Sequence, residues 1–200
     1  MAAGVGTHRF VASVFSIGRT AREAPELSVE QVHEQHADFV WRSLQRLGVR
    51  DSDLEDALQD VFVVVHRKLD TFHGSSRLTT WLYGIALRVA AAHRRRAHIR
   101  REEMTPDVEA TADSPAPGDP EAALLERESR RRLQRVLDSL SLEKRAVFVM
   151  FEIEGLSVLE IAETMGVPVG TVHSRLYAAR AEFARAAERW ARRDRFGGAP

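Results

Sequence analysis

Along most of the chain, apolar residues recur at intervals of three and four and rarely alternate singly with polar ones. That period predicts helix, so the expected fold class is all-α. Ser28 with Gln31 has the spacing of a capping box, in which each side chain satisfies the other's backbone N–H. The helix behind it carries Val32, His36, Phe39, Val40, Leu44 and Leu47 on one face and stops at Gly48. Ser52 with Glu55 repeats the spacing and predicts a second helix reaching about Leu69. A polar loop follows, "TFHGSSRLTT" at 71–80, and then a long third helix with the stripe Leu82, Ile85, Val89 and Ala92.

Between Glu102 and Pro120 the periodicity stops, and "EEMTPDVEATADSPAPGDP" holds too little apolar surface to order itself. This predicts a linker at 102–119 between two small helical domains, 28–101 and 120–190, with an N-terminal extension at 1–27 and a tail at 191–200. In the second domain Asp119 caps a helix that starts at Pro120 and runs to about Leu140. Ser141 opens another that closes at Gly155. Ser157 with Glu160 is a third capping box, for a short helix stopping at Gly166, and a final helix runs from about Val169 to Arg189.

Composition narrows the function classes. The 200 residues are 44% hydrophobic and 29% charged with a formal net charge of +0, the balance of a soluble globular protein. Any case for nucleic acid therefore rests on where the charges sit. The absence of cysteine excludes disulfides, thiolate nucleophiles and cysteine metal sites. "FVASVFSI" at 10–17 is too short to span a bilayer, and "GRTAREAPE" follows it where a signal peptide would have small residues. The expected location is the cytoplasm, with no membrane partner. There is no phosphate-binding glycine loop and no nucleophile elbow, and His33 with His36 reads as a helix-surface pair beside Glu34. No catalytic residue, metal or cofactor is expected, and the chain is not expected to be an enzyme.

The stretch "GLSVLEIAETMGVPVGTVHSRLYAARAEF" at 155–183 has the layout of a helix-turn-helix. Its capped first helix offers Ile161 and the small Ala162 for a close crossing, and the turn lies at Met165-Gly166-Val167. On the second helix Val172, Leu176, Ala179 and Phe183 face inward. His173, Ser174, Tyr177 and Ala178 face outward, where base edges would lie, flanked by Thr171, Arg175 and Arg180, which suit phosphates.

The first domain divides its charges. On the second helix Asp56, Gln59, Asp60, Val63 and His66 recur at three and four opposite the apolar stripe of Leu54, Leu58, Val61, Val65 and Leu69. Such an acidic face repels phosphates; it is either a solvated surface or a protein-docking one. The third helix carries Arg88, Arg94, Arg95, Arg96, Arg100 and Arg101, with Phe72, Trp81 and Tyr83 at its start. Arginines beside aromatics suit a single strand, whose backbone takes charge and whose bases stack.

Together the two domains resemble the extracytoplasmic-function group of bacterial RNA polymerase sigma factors. "DLEDALQDVFVVVHRKL" is similar to that family's second conserved region, "TTWLYGIALRVAAAHRRR" to the adjoining promoter-opening region, and "GLSVLEIAETMGVPVGTVHSRLYAAR" to the fourth region. The resemblance implies that Asp56, Gln59, Asp60, Val63 and His66 contact a coiled coil on the largest subunit of core RNA polymerase. It implies that the loop of Phe72, His73, Gly74, Ser75 and Ser76 receives a base flipped from the minus-ten element, with Trp81, Arg88 and Arg95 on the same DNA. Thr171, His173, Ser174, Arg175, Tyr177, Ala178 and Arg180 would meet the minus-thirty-five element. Many members are held by an anti-sigma factor, and no residue here decides whether this chain has one. Arg88 and Ala92 stand where the family often has Asn and Asp, and His173 and Ala178 where it often has Arg. Two readings stay open beside this one: a dimeric helix-turn-helix regulator acting without polymerase, for which no sustained apolar heptad offers a dimerisation helix, and an adaptor that only docks through its acidic face.

Overall fold

The structure is a computed structural model that describes residues 27–103 and 120–196. Among the described residues there is no strand, and the helices are α1 (Val29–Arg46), α2 (Leu54–Lys68), α3 (Leu78–Glu103), α4 (Pro120–Leu137), α5 (Leu142–Phe148), α6 (Val158–Met165) and α7 (Val169–Phe196). The N-terminal extension and the linker expected from the sequence lie outside the described residues, apart from Leu27 and the last two residues of α3.

Side-chain and glycine signals set most helix ends. The Ser28 hydroxyl accepts from the Gln31 N–H and the Ser28 N–H donates to Gln31 Oε1, both at 3.2 Å. α1 stops because Gly48 turns left-handed, with φ +82°. Its N–H donates to the Gln45 carbonyl at 2.9 Å and the Val49 N–H to the Leu44 carbonyl at 3.1 Å, a Schellman closure. Gly166 ends α6 the same way, with φ +64°.

Three expectations are corrected. Ser52 and Glu55 form no capping box: α2 is entered through a 3-10 turn, Asp51–Asp53, and Asp53 stands at the cap without a side-chain bond to the helix. The Asp53 carboxylate is turned instead to Arg100 Nη2, at 3.1 and 3.3 Å. The helix expected from Ser141 to Gly155 is α5 followed by a π-helical turn, Val149–Ile153. α7 runs past Arg189 to Phe196, into the expected tail, because no glycine or proline interrupts it before Gly197. There Trp190 lies in a groove with Leu133 and Val136 of α4, under the guanidinium of Arg135 at 4.9 Å.

Helices α1–α3 pack around Val40, Leu44, Val61, Val65, Leu82 and Ile85, all buried. Helices α5–α7 pack around Val147, Met150, Ile161, Val172 and Leu176. The two cores form one continuous cluster. α3 and α6 cross closely at Gly84, where an added Cβ would stand 3.2 Å from Thr164 Cγ2. Arg46 reaches Glu154 at 2.7 Å.

The C-terminus of α1 is the centre of this joint. Three of its last carbonyls each receive a side chain from a different helix: Gln45 from Gln134 of α4 at 2.7 Å, Arg46 from Arg145 of α5, and Leu47 from Arg94 of α3 at 3.2 Å. These carbonyls carry the negative end of the helix dipole, so the cationic donors to Arg46 and Leu47 suit them, while the Gln45 carbonyl takes the Gln134 amide in addition to the Gly48 N–H. Arg145 is fully buried, and its second amine donates to Asp138 at 2.7 Å. Burial pushes the Arg145 guanidinium below its ordinary value, and Asp138 pulls it back up.

Candidate nucleic-acid interface and protein-docking face

The acidic stripe of α2 is a surface. Asp56, Gln59, Asp60, Val63 and His66 are all exposed, while Leu54, Ala57, Val61, Phe62 and Val65 are buried beneath them. Val63 leaves 47% of its surface in solvent amid polar neighbours. Leu58, expected in the buried stripe, is only half-buried; Ala57 and Phe62 complete the inner face instead.

The basic half of α3 is less free than its composition suggests. Arg94 is committed to the Leu47 carbonyl, Arg100 to Asp53 and, more loosely, Arg96 to Asp60 at 3.7 Å. Asp60 of α2 and Asp53 at its cap thus neutralise part of the arginine run. Arg88 and Arg95 are exposed and make no recorded bond among the described residues. With Trp81 they are spaced by seven, so the three form a line along one side of the helix. At the head of that line Phe72 packs against Trp81, ring centroids 5.4 Å apart, and both rings are half-buried. His73, Gly74 and Ser75 are exposed in the adjoining loop, Ser76 is half-buried, and Gly74 turns left-handed at φ +70°. Ala92, expected in the buried stripe, is half-buried. The result is an aromatic step leading into two unpaired arginines.

In the helix-turn-helix, the Ser157–Glu160 box is formed, the Ser157 N–H donating to Glu160 Oε2 at 2.8 Å. That bond holds the Glu160 carboxyl below its ordinary value. Ile161, Ala162, Val172, Leu176 and Ala179 are buried, and Phe183 stacks on Phe148 with centroids 4.5 Å apart. His173, Ser174 and Tyr177 point outward, Tyr177 with 80% of its surface exposed. Thr171, Arg175 and Ala178 are half-buried, so Ala178 stands at the edge of the outward face. Arg180 is exposed but engaged: its guanidinium bonds Glu152 at 2.7 Å and lies over the Phe151 ring at 5.1 Å. Within 171–177, His173 and Tyr177 carry outward polar groups with no recorded bond among the described residues, while the Ser174 hydroxyl donates to the Thr171 carbonyl at 3.0 Å.

Two family models match the chain, one in each helical half. Residues 32–99 match the family described as Sigma-70 region 2 and residues 130–183 the family described as Sigma-70, region 4. An ECF RNA polymerase sigma-E factor of Escherichia coli K12 is 36% identical over 146 residues, covering 69% of this chain and 75% of the relative. The chain belongs to the ECF family of RNA polymerase sigma factors. The ECF RNA polymerase sigma factor SigE of Mycolicibacterium smegmatis is likewise 36% identical, over 164 residues, 80% of this chain; the match spans only 62% of that longer relative. Two solved structures share the fold of this sigma-family chain. CnrH in complex with the cytosolic domain of CnrY has a TM-score of 0.56 at 24% identity, covering 78% of this chain and 85% of CnrH. The sigma factor RpoE of Bartonella quintana, in complex with the anti-sigma factor NepR, has a TM-score of 0.59 at 22% identity, covering 80% and 96%.

The arginines and the glutamine that cap α1, and the His93 bond to Asp60 described below, were not among the functional residues expected from sequence. Only helix-end spacing near Gly48 hinted at the former, and nothing local pointed to their partners. No described helix is long and apolar enough to cross a membrane.

Proposed function

We propose that this chain is a promoter-specificity subunit: it binds core RNA polymerase, directs it to a promoter through both domains, and stabilises melted DNA at initiation. The observation that carries the reading is the division of surfaces. One helix exposes acids that a polyanion would repel, the next exposes an aromatic–arginine line, and a recognition helix exposes Tyr177, His173 and Ser174. A duplex-binding regulator leaves the first two without work.

In this reading Asp56, Gln59, Asp60, Val63 and His66 meet a basic coiled coil of the polymerase, with Val63 as the apolar contact. Phe72, His73, Gly74, Ser75 and Ser76 border the place for a flipped minus-ten base; flipping costs a few kcal/mol, which stacking on Trp81 and phosphate contacts from Arg88 and Arg95 offset. Tyr177, His173, Ser174 and the edge residue Ala178 face the minus-thirty-five bases, with Thr171 and Arg175 on phosphates; Arg180 reaches DNA only by leaving Glu152. Neutral His173 offers one donor and Ala178 none where an arginine would grip guanine with two, so the upstream sequence preferred is not arginine-read. The protein performs no bond chemistry, needs no cofactor and acts in the cytoplasm. An anti-sigma factor is a natural further partner, since both solved relatives are bound by a second protein. The test is reconstitution with core polymerase: co-elution and initiation at defined start sites support the reading, and a homodimer that ignores the polymerase overturns it.

A further inference from the structure

Asp60 stands on the docking face, yet its carboxylate is already held from inside. His93 of α3 is 5% exposed, and its Nε2 lies 2.9 Å from Asp60 Oδ2. Arg96 Nη1 is 3.7 Å from the same oxygen. Among the described residues nothing is recorded on Oδ1, and the Asp60 side chain is 51% exposed. We propose that His93 is a positioning residue for polymerase docking: it fixes Oδ2 so that Oδ1 is presented outward, in one direction, to a cation of the partner. This rests on the docking role given to the acidic face above.

A free aspartate on a helix surface samples several rotamers, and binding must select one of them. A buried donor that has already made the selection removes that cost from the association step. Both α3 groups address Oδ2 and leave Oδ1, on a half-exposed side chain, with nothing recorded on it among the described residues; core affinity, not the contact pattern, separates this role from a purely structural pair. The pair also fixes α2 to the helix bearing Arg88 and Arg95, so the docking face and the candidate strand-binding line share one rigid support.

The test is a double-mutant cycle in the full chain, reading affinity for core RNA polymerase by anisotropy of a labelled sigma chain. His93→Leu keeps bulk but removes the donor. His93→Gln keeps a donor near the place of Nε2, and His93→Asn carries an amide too short to reach Asp60. His93→Leu and His93→Asn are expected to weaken core binding about five- to tenfold, with His93→Gln close to wild type and no further loss when either is added to Asp60→Ala. A merely structural histidine would lower the melting temperature and leave core affinity unmoved. His93→Asn serves where His93→Leu does not fold. Unchanged core affinity in the folded His93 variants, or losses that add to that of Asp60→Ala, overturns the positioning role while leaving the docking face intact. Wild-type affinity in Asp60→Ala alone overturns the docking role of Asp60 itself.

Discussion

Gly48→Ala probes the joint between the two domains. Gly48 sits at φ +82°, and a Cβ there would run into Arg94 Nη1 and Arg145 Nη1 and stand 3.1 Å from Arg145 Cζ. The left-handed backbone alone costs an alanine roughly 1 kcal/mol. Displacing the guanidinium groups breaks bonds from charged donors to the Arg46 and Leu47 carbonyls. Each such bond is worth about 1.5–3 kcal/mol, and Arg145 is fully buried with nowhere to swing. With both bonds lost, the expected loss is about 4–7 kcal/mol. Gly166→Ala is the control: φ is +64°, nothing stands within 4 Å of its Cβ, and only the backbone cost of roughly 1 kcal/mol remains. Urea denaturation and thermal melts of the two variants separate the contributions. For a chain of this size the melting temperature should fall on the order of 10 °C for Gly48→Ala and a few degrees for Gly166→Ala. Equal losses would refute the argument that Arg145 and Arg94 fill the space over Gly48.

Further outcomes follow from other groups. Asp56→Lys reverses a charge on the exposed stripe without touching the Asp60–His93 pair, and should weaken core-polymerase binding about tenfold in a binding titration while leaving the melting temperature within a few degrees. Arg95→Ala should weaken binding of the polymerase complex to a single-stranded minus-ten oligonucleotide and reduce the slope of log affinity against log salt by about 0.7. Tyr83 is 1% exposed, its hydroxyl has no partner among the described residues, and burial pushes the phenol well above its ordinary value. The folded state therefore holds that proton more tightly than the unfolded one, so the associated stability is present below the ordinary value of 10.0 and declines as pH rises above it. In a Tyr177→Phe background Tyr83 is the remaining tyrosine, and its phenolate absorbance should appear only together with unfolding. Tyr83→Phe should be neutral or slightly stabilising at pH 7 and should flatten that alkaline decline.

The helices were legible because their signals are local: Ser28 with Gln31, Ser157 with Glu160, and the glycines at 48 and 166 are short-range patterns with direct backbone consequences. The exposed stripe of α2 was legible for the same reason, since helical phase alone separates Asp56 from Leu54. What escaped was long-range. Nothing near Asp53 announces Arg100, and the expected Ser52–Glu55 box is unformed because Ser52 lies inside the 3-10 turn Asp51–Asp53. Nothing near the run of arginines on α3 tells which are spent on carbonyls and carboxylates of other helices, and so Arg94, Arg96 and Arg100 looked as available as Arg88 and Arg95. Likewise Arg180 has helix-flank spacing suited to a phosphate, yet Glu152 and Phe151 approach it from the π-helical turn. Arg145 sits 99 residues from the carbonyl it caps, a separation at which no periodicity speaks.

The central claim, that this chain confers promoter specificity on core polymerase, is tested most directly by sequencing the 5′ ends of transcripts made in vitro from genomic DNA by core enzyme with and without it. The account predicts a discrete set of new start sites sharing two upstream elements, lost together when Asp56 is changed to Lys. Start sites identical with and without the protein would contradict it.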